Sequence, residues 1–334
     1  MGSKRRKLLI GSYLSLMLGV FAVWSPALAE TKIGVIATLT GPFARYGAKV
    51  QAAVSAVKSD SVSMVFENEG CEPKVAVSAF KKLSEVDRVR LFIGPGCGSP
   101  QSAIAPLLSR GGQLAVLGSS APRGLFRQSD GRMFSTQPSI EDESTFLGNQ
   151  LSERGVNSVV IVFSENGFSR AHEAAFRASY RGKILETFAY TSDAPAELKS
   201  IALKIKQLNA EALYVPDGFP LLRGFGRELR AIGAERPIYS VYSAQSEDVL
   251  RGMGADAERM IYSYPDIGSE DALTYFPTLA AKILVEAAQE CGDDVACVKS
   301  RIMTRHKFDQ YGTLEGQLIL KTVREGSFVA LADE

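Results

Sequence analysis

Apolar residues in this chain come in two patterns: short dense runs, and longer stretches where they recur every three or four positions. The first pattern reads as buried strand and the second as amphipathic helix. Residues 32–39 (KIGVIATL) predict a strand, and 47–58 a helix after the turn Thr40-Gly41-Pro42. A strand over 63–67, a helix over 73–85 and a strand over 89–93 follow. Ser99-Pro100 then opens a helix over 100–110, with the serine as cap and the proline at the first helical position. Residues 114–117 are a strand again. A second series starts near Glu141, with helices predicted over 143–154, 169–180, 196–207 and 221–232. Its strands fall at 158–163, 184–190, 212–215 and 238–242, and a long alanine-rich helix covers 274–291. Alternating strands and helices call for parallel sheets covered on both faces. The expected fold is α/β, with two doubly wound lobes, each a mainly parallel sheet flanked by helices. No Pro/Ser-rich linker separates the series, so hinge crossovers should join the lobes. Lobe 1 is expected over 30–142 plus 269–315, and lobe 2 over 143–268 plus 316–334.

The first residues stand outside this alternation. Lys4, Arg5, Arg6 and Lys7 precede an apolar run from Leu8 to about Val23. Ser25-Pro26-Ala27-Leu28-Ala29 follows, with Ala27 and Ala29 at the A-x-A spacing that signal peptidase reads. The run approaches the ~20 residues that span a bilayer, but a cleavage site directly after a proline favours removal. Residues 1–29 are therefore read as a signal peptide, and the exported chain, starting at Glu30, is expected in the periplasm. No cysteine follows the run to carry a lipid anchor.

Export changes the charge. The whole chain has 38 basic and 37 acidic residues, and the leader takes four of the basic ones. The exported chain then holds 34 against 37, a formal charge of −3, with no basic cluster. Nucleic acid is not an expected partner. A chain of 305 residues exceeds what one hydrophobic core supports, in keeping with two lobes. Four cysteines in an exported protein imply two disulfides. Counting leaves three connectivities, and spacing favours Cys71–Cys97 and Cys291–Cys297. Closing the longer loop is worth ~3–4 kcal/mol in the chain-entropy description.

Ligands of doubly wound sheets bind beyond the carboxyl ends of the strands. Two loops lie at such ends: Gly94-Pro95-Gly96-Cys97-Gly98-Ser99 and Gly118-Ser119-Ser120-Ala121-Pro122. Their glycines allow close backbone approach, their serines offer hydroxyls, and the helix after the first presents free N–H donors that suit an anion. Tyr46, Phe168, Phe219 and Tyr242 fall where strands of both lobes should end, and flat rings there can enclose an organic ligand. Asp217, in Val215-Pro216-Asp217-Gly218, could meet a polar ligand group. Signs of catalysis are weak. His172 lies within a predicted helix and His306 in a basic stretch, and both read as surface residues. Glu67 and Glu69 read as a solvated loop. No nucleophile elbow, zinc-binding helix motif, dinucleotide fingerprint or metal-spaced Cys/His cluster is present. Neither an enzyme, a cofactor nor a metal is expected.

Gly34-Val35-Ile36-Ala37-Thr38-Leu39-Thr40-Gly41-Pro42, followed by Tyr46-Gly47, resembles the opening of the Leu/Ile/Val-binding family of periplasmic binding proteins. Gly70-Cys71-Glu72-Pro73, Ile93-Gly94 with Cys97, Ser164-Glu165-Asn166-Gly167-Phe168 and Tyr311-Gly312-Thr313-Leu314-Glu315-Gly316 extend the resemblance over essentially the whole exported chain. It implies a type I fold, a cleft that closes on a small organic solute, and a membrane permease of an ABC importer as partner. It also supports the Cys71–Cys97 pairing. In the family, the two loops of the first lobe hold a ligand carboxylate, a role that falls here on Gly98, Ser99, Ser119, Ser120 and Ala121. Gly98 stands where amino-acid binders usually have serine, and Phe168 and Phe219 where tyrosine is frequent. Tyr242 stands where the family places the acid that holds the ligand's ammonium. A carboxylate with an apolar or aromatic body therefore fits these residues better than a branched-chain amino acid, unless Asp217 replaces that acid. The protein is expected to work as a monomeric importer receptor. The alternative is a ligand-sensing receptor module that passes occupancy to a signalling partner.

Overall fold

The structure is a computed structural model describing residues 30–191, 195–218 and 221–331, without the side chains of Pro195, Ala196 and Arg223. The expected signal peptide and Phe219 lie outside the described residues.

Two sheets carry the chain. The first is wholly parallel and runs β2-β1-β3-β4-β5, built from β1 (Thr31–Ala37), β2 (Val62–Asn68), β3 (Leu91–Ile93), β4 (Leu114–Leu117) and β5 (Met133–Ser135). Helices α1 (Ala44–Ser55), α2 (Pro73–Lys81), α3 (Gly98–Gly111) and α4 (Gly124–Gln128) connect the strands. Successive side chains of a strand point to opposite faces, and the apolar runs divide accordingly. Ile33, Val35, Leu91, Ile93, Leu114 and Val116 share one core. It includes Ala280, Ile283 and Leu284 of α10 (Ala272–Cys291), with Val298 and Ile302 of α11 (Val295–Arg305). Ile36, Phe92, Ala115 and Leu117 enter the other core, with Phe80 of α2 and Ile104 and Leu108 of α3. Burying each large apolar side chain is worth about 1.5–3 kcal/mol, which is why strands buried on both faces need no polar positions.

The second sheet has the order β12-β11-β10-β9-β8-β6-β7. Strands β6 (Ser158–Ser164), β7 (Lys183–Tyr190), β8 (Ala212–Tyr214), β9 (Ile238–Ser240) and β10 (Met260–Pro265) are parallel. Strands β11 (Leu318–Arg324) and β12 (Ser327–Ala330) add an antiparallel edge. Glu325 and Gly326 both take positive φ, as a two-residue hairpin turn requires. Helices α5 (Ile140–Glu153), α6 (Gly167–Ser179), α7 (Pro195–Gln207), α8 (Leu221–Ala231) and α9 (Glu247–Met253) belong to this half. The chain crosses between the halves three times: after β5, between β10 and α10, and between α11 and β11.

The expected α/β class with two mainly parallel, helix-flanked sheets is the one found. Short elements (α4, β5, α9, β10, α11 and the β11–β12 hairpin) were not foreseen. Most helix starts also differ by one to three residues, α3 and α5 among them. Helix α3 begins at Gly98 rather than Pro100, Cys97 stands at its cap position without a capping side chain, and Ser99 is not the cap. Helix α5 begins at Ile140 because Ser139 and Asp142 form a capping box, the Ser139 Oγ accepting from the Asp142 N–H at 3.0 Å. Disulfides join Cys71 to Cys97 and Cys291 to Cys297. Among the described residues no helix is long and apolar enough to cross a membrane.

Candidate functional site

The carboxyl ends of the two parallel sheets face each other across a cavity of about 260 Å³, near the lower bound of the ~300–1,000 Å³ usual for small-molecule sites. From the first half, Thr38 after β1, the 94–99 loop after β3, and Gly118 and Ser119 after β4 reach it. Asn166 and Phe168 after β6, Asp217 and Gly218 after β8, and Tyr242 and Ser243 after β9 reach it from the second. Helix α1 can approach the end of β1 only because residue 47 is glycine, since a Cβ there would lie 1.8 Å from the Thr38 carbonyl oxygen. That contact sets Tyr46 at the cavity, where its hydroxyl reaches Ser246 Oγ of the other half at 3.1 Å.

Six more expected residues line the cavity with it: Gly98, Ser99, Ser119, Phe168, Asp217 and Tyr242. Ser99 Oγ accepts from the Gly167 N–H at 3.2 Å, which links the two halves. A Cβ on Gly98 would stand 3.0 Å from the Phe168 backbone nitrogen, so the halves meet backbone to backbone at this point. Ser119 Oγ accepts from Gln101 Nε2 at 2.9 Å. The Phe168 ring stands edge-on to His172 at 4.5 Å and to Tyr242 at 6.0 Å. Tyr242 follows β9 in a short 3-10 turn rather than ending the strand, and its N–H donates to Glu143 Oε1 at 2.8 Å. Burial pushes its phenol up to about 12, so it faces the cavity neutral.

Ser120 and Ala121 are not brought to the cavity wall. The chain turns inward after Ser119, leaving Ser120 buried beside the Tyr242 hydroxyl and Ala121 in the core shared with α3. Asp217 lines the cavity but is already engaged. Its Oδ2 accepts from the Ser164 N–H at 2.9 Å and Ser169 Oγ at 3.1 Å, and its Oδ1 from the Gly218 N–H at 3.1 Å. Burial raises its pKa against those hydrogen bonds.

Three titratable residues expected at the surface or in a solvated loop are otherwise placed. His172 is fully buried, with Nδ1 3.0 Å from Ser144 Oγ, and burial holds its pKa down to about 3. Glu69 is fully buried, and Glu67 pairs with Lys82 instead of with it. Sequence reasoning also missed Phe43, Ser243, Leu273 and Pro277 in the wall. Phe43 directly follows the Thr40-Gly41-Pro42 turn and was accessible from sequence. Leu273 and Pro277 arrive on α10 from far along the chain and had no local signal. Among the described residues no group of three or more His, Cys, Asp or Glu is placed to hold a metal ion.

Comparison with known proteins places this geometry in context. "Leu/Ile/Val-binding protein homolog 3" of Brucella melitensis biotype 1 is 25% identical over 204 residues, 57% of this chain and 55% of that protein. An "Amino acid binding protein" of Pseudomonas aeruginosa is 23% identical over 222 residues, 61% of this chain and 59% of its own length. The chain thus spans little more than half the length of the curated relatives it matches. Among solved structures, the substrate binding protein LivJ of Streptococcus pneumoniae in complex with isoleucine shares the fold at a TM-score of 0.79 and 17% identity, covering 90% of this chain and 98% of that one. A Rhodopseudomonas palustris solute binding protein in complex with 4-hydroxybenzoate does so at 0.78 and 16%, covering 91% and 96%. Another from the same organism, with benzoate, does so at 0.79 and 15%, covering 92% and 98%. The fold is that of the type I periplasmic binding proteins. The family model described as "Periplasmic binding protein" matches residues 30–290, and this chain belongs to that family.

Proposed function

We propose that the protein is the periplasmic receptor of an ABC importer and captures a small organic carboxylate with an apolar or aromatic body. The observation that carries this reading is the distribution of polarity around the cavity. The Ser99 and Ser119 hydroxyls and the start of α3 lie on one side, and Phe43, Tyr46, Phe168 and Tyr242 supply aromatic wall. Asp217 is the one acid lining the cavity among the described residues, and it already accepts three hydrogen bonds. A ligand ammonium placed there without a free carboxylate would be poorly compensated, whereas a ligand carboxylate meets donors and a favourable helix end. The benzoate and 4-hydroxybenzoate carried by two similarly folded proteins are ligands of this chemical class. Stronger binding to the closed arrangement than to the open one drives closure, and the closed form is what a membrane permease would receive.

A thermal-shift titration of residues 30–334 tests the reading. Benzoate or 4-hydroxybenzoate at 100 times its dissociation constant should add ~2.7 kcal/mol of stability, with leucine and isoleucine leaving the melting temperature unchanged. Stabilisation by leucine but by neither benzoate would overturn the ligand class and make Asp217 the residue to mutate.

A further inference from the structure

We infer that Gln101 sets the polarity of the ligand site, holding the Ser119 hydroxyl as a donor toward the cavity and thereby selecting a ligand group that only accepts. The inference rests on the carboxylate capture proposed above and names the residue that enforces it. Gln101 sits in the first turn of α3, is 1% exposed, and does not line the cavity. Its Nε2 lies 2.9 Å from Ser119 Oγ and 3.4, 3.5 and 3.4 Å from the carbonyl oxygens of Pro95, Gly96 and Ser120. Those three carbonyls fix which end of the amide is nitrogen, because an amide oxygen in the same place would face three acceptors. Among the described residues the buried Oε1 end has no partner. The side chain is thus held through its nitrogen alone.

An amide N–H can only give a hydrogen, so Ser119 Oγ must accept it. The serine keeps its own hydrogen to donate, and no acceptor among the described residues takes it. Ser119 lines the cavity, so that hydrogen is available to the ligand. Ser99 is arranged alike by a different donor, its Oγ accepting from the Gly167 N–H across the cleft. Two hydroxyls, each with a lone pair taken by a fixed N–H, form a surface biased toward giving hydrogens. A carboxylate meets it with acceptors only, while a primary amide brings N–H groups that find only the one remaining lone pair of each hydroxyl.

The test is calorimetric, with benzoate and benzamide as probes on the same protein. The expected result is a wild-type preference for benzoate that Gln101→Met lowers at least tenfold, because the released Ser119 hydroxyl can rotate to accept. With Ser119→Ala already present, Gln101→Met should change the preference no more than twofold. Equal losses for both probes in Gln101→Met would mean that the residue merely supports its loop, and would overturn the inference. Should Gln101→Met fail to fold, Ser119→Ala alone carries the test. A tenfold loss for benzoate with benzamide unchanged supports the inference, and parallel losses overturn it. Wild-type protein that binds neither probe overturns the inference together with the carboxylate reading. A wild-type benzoate preference that the variants leave intact overturns the inference alone.

Discussion

Glu69 ends up wholly buried just past the end of β2, its Oε1 accepting from Thr38 Oγ1 at 2.7 Å and from the Gly96 and Cys97 N–H groups at 3.2 Å each. Burial pushes its pKa up to about 7 despite these hydrogen bonds. An unfolded glutamate titrates near ~4.3, so between that pH and about 7 the folded state holds a proton the unfolded chain has lost. The associated stability is fully present below ~4.3 and is lost as pH rises through the folded value. Glu143, buried and also pushed up to about 7, has the same sign. His172 has the opposite sign: its contribution is present above ~6.5 and is lost as pH falls toward about 3. Its Nε2 lies 3.6 Å from Glu143 Oε2, and an imidazole held neutral makes that contact no ion pair at neutral pH. With Asp217 shifted in the same direction, the buried acids outweigh the one histidine and leave a net rise in stability as pH falls from 7 to 5.5. Glu69→Gln should flatten that rise by at most about 1.4 kcal/mol per pH unit, the limit for one full proton, measured by urea unfolding across the range. A variant profile parallel to the wild type would mean that Glu69 is ionised in the fold. None of this was legible in Glu67-Asn68-Glu69-Gly70-Cys71, which looks like a solvated loop. The burial comes from the 94–97 loop, which folds over it from a later turn.

Secondary-structure elements were legible in proportion to the density of their apolar runs. KIGVIATL and SVVIVFS are buried nearly throughout and announced themselves as strands, whereas Met133–Ser135 is three residues long and pairs only because β4 lies beside it. The β11–β12 hairpin was missed because LILKTVREGSFVA mixes buried and exposed positions at a sheet edge. Ser139 is a case where the capping chemistry was present in sequence, as Ser-x-x-Asp ahead of a helical pattern, but was not used. Ser139→Ala should cost about 1 kcal/mol of stability, seen as a lower denaturation midpoint with an unchanged slope. A variant as stable as the wild type would show that α5 is held by its packing alone. The candidate site was legible for a related reason. Tyr46, Ser99, Ser119 and Phe168 follow strands whose ends could be placed, but which of two adjacent serines faces the cavity depends on Gln101 and on the turn after Ser119.

At the scale of the whole molecule, the halves are joined by three chain crossings, by α10, whose Ala272 and Phe276 enter the core of the second half, and by side chains that meet across the cleft. Tyr46 meets Ser246, Arg45 pairs with Asp248, and Ser99 meets Gly167. Arg45 is largely exposed, so its pair with Asp248 should contribute at most ~1 kcal/mol and weaken in salt. The Gly98 contact is of another kind, because the atoms opposite it are the backbone of Gly167 and Phe168. Gly98→Ala should hold the halves slightly apart. Calorimetry should show benzoate affinity several-fold below that of the wild type, with the ligand-free melting temperature unchanged. An unchanged affinity would mean that the second half shifts to accept the methyl group.

That backbone contact also makes the cleft a gauge as well as a trap. Jaws that already touch cannot tighten further on a thinner object, so a cavity of about 260 Å³ cannot shrink around a smaller guest. Along a homologous series of acids, occupancy should climb with each added carbon while empty space is being filled. It should then drop abruptly once a guest is too long for the jaws to meet, giving a gradual loss toward short guests and a sudden one toward long guests.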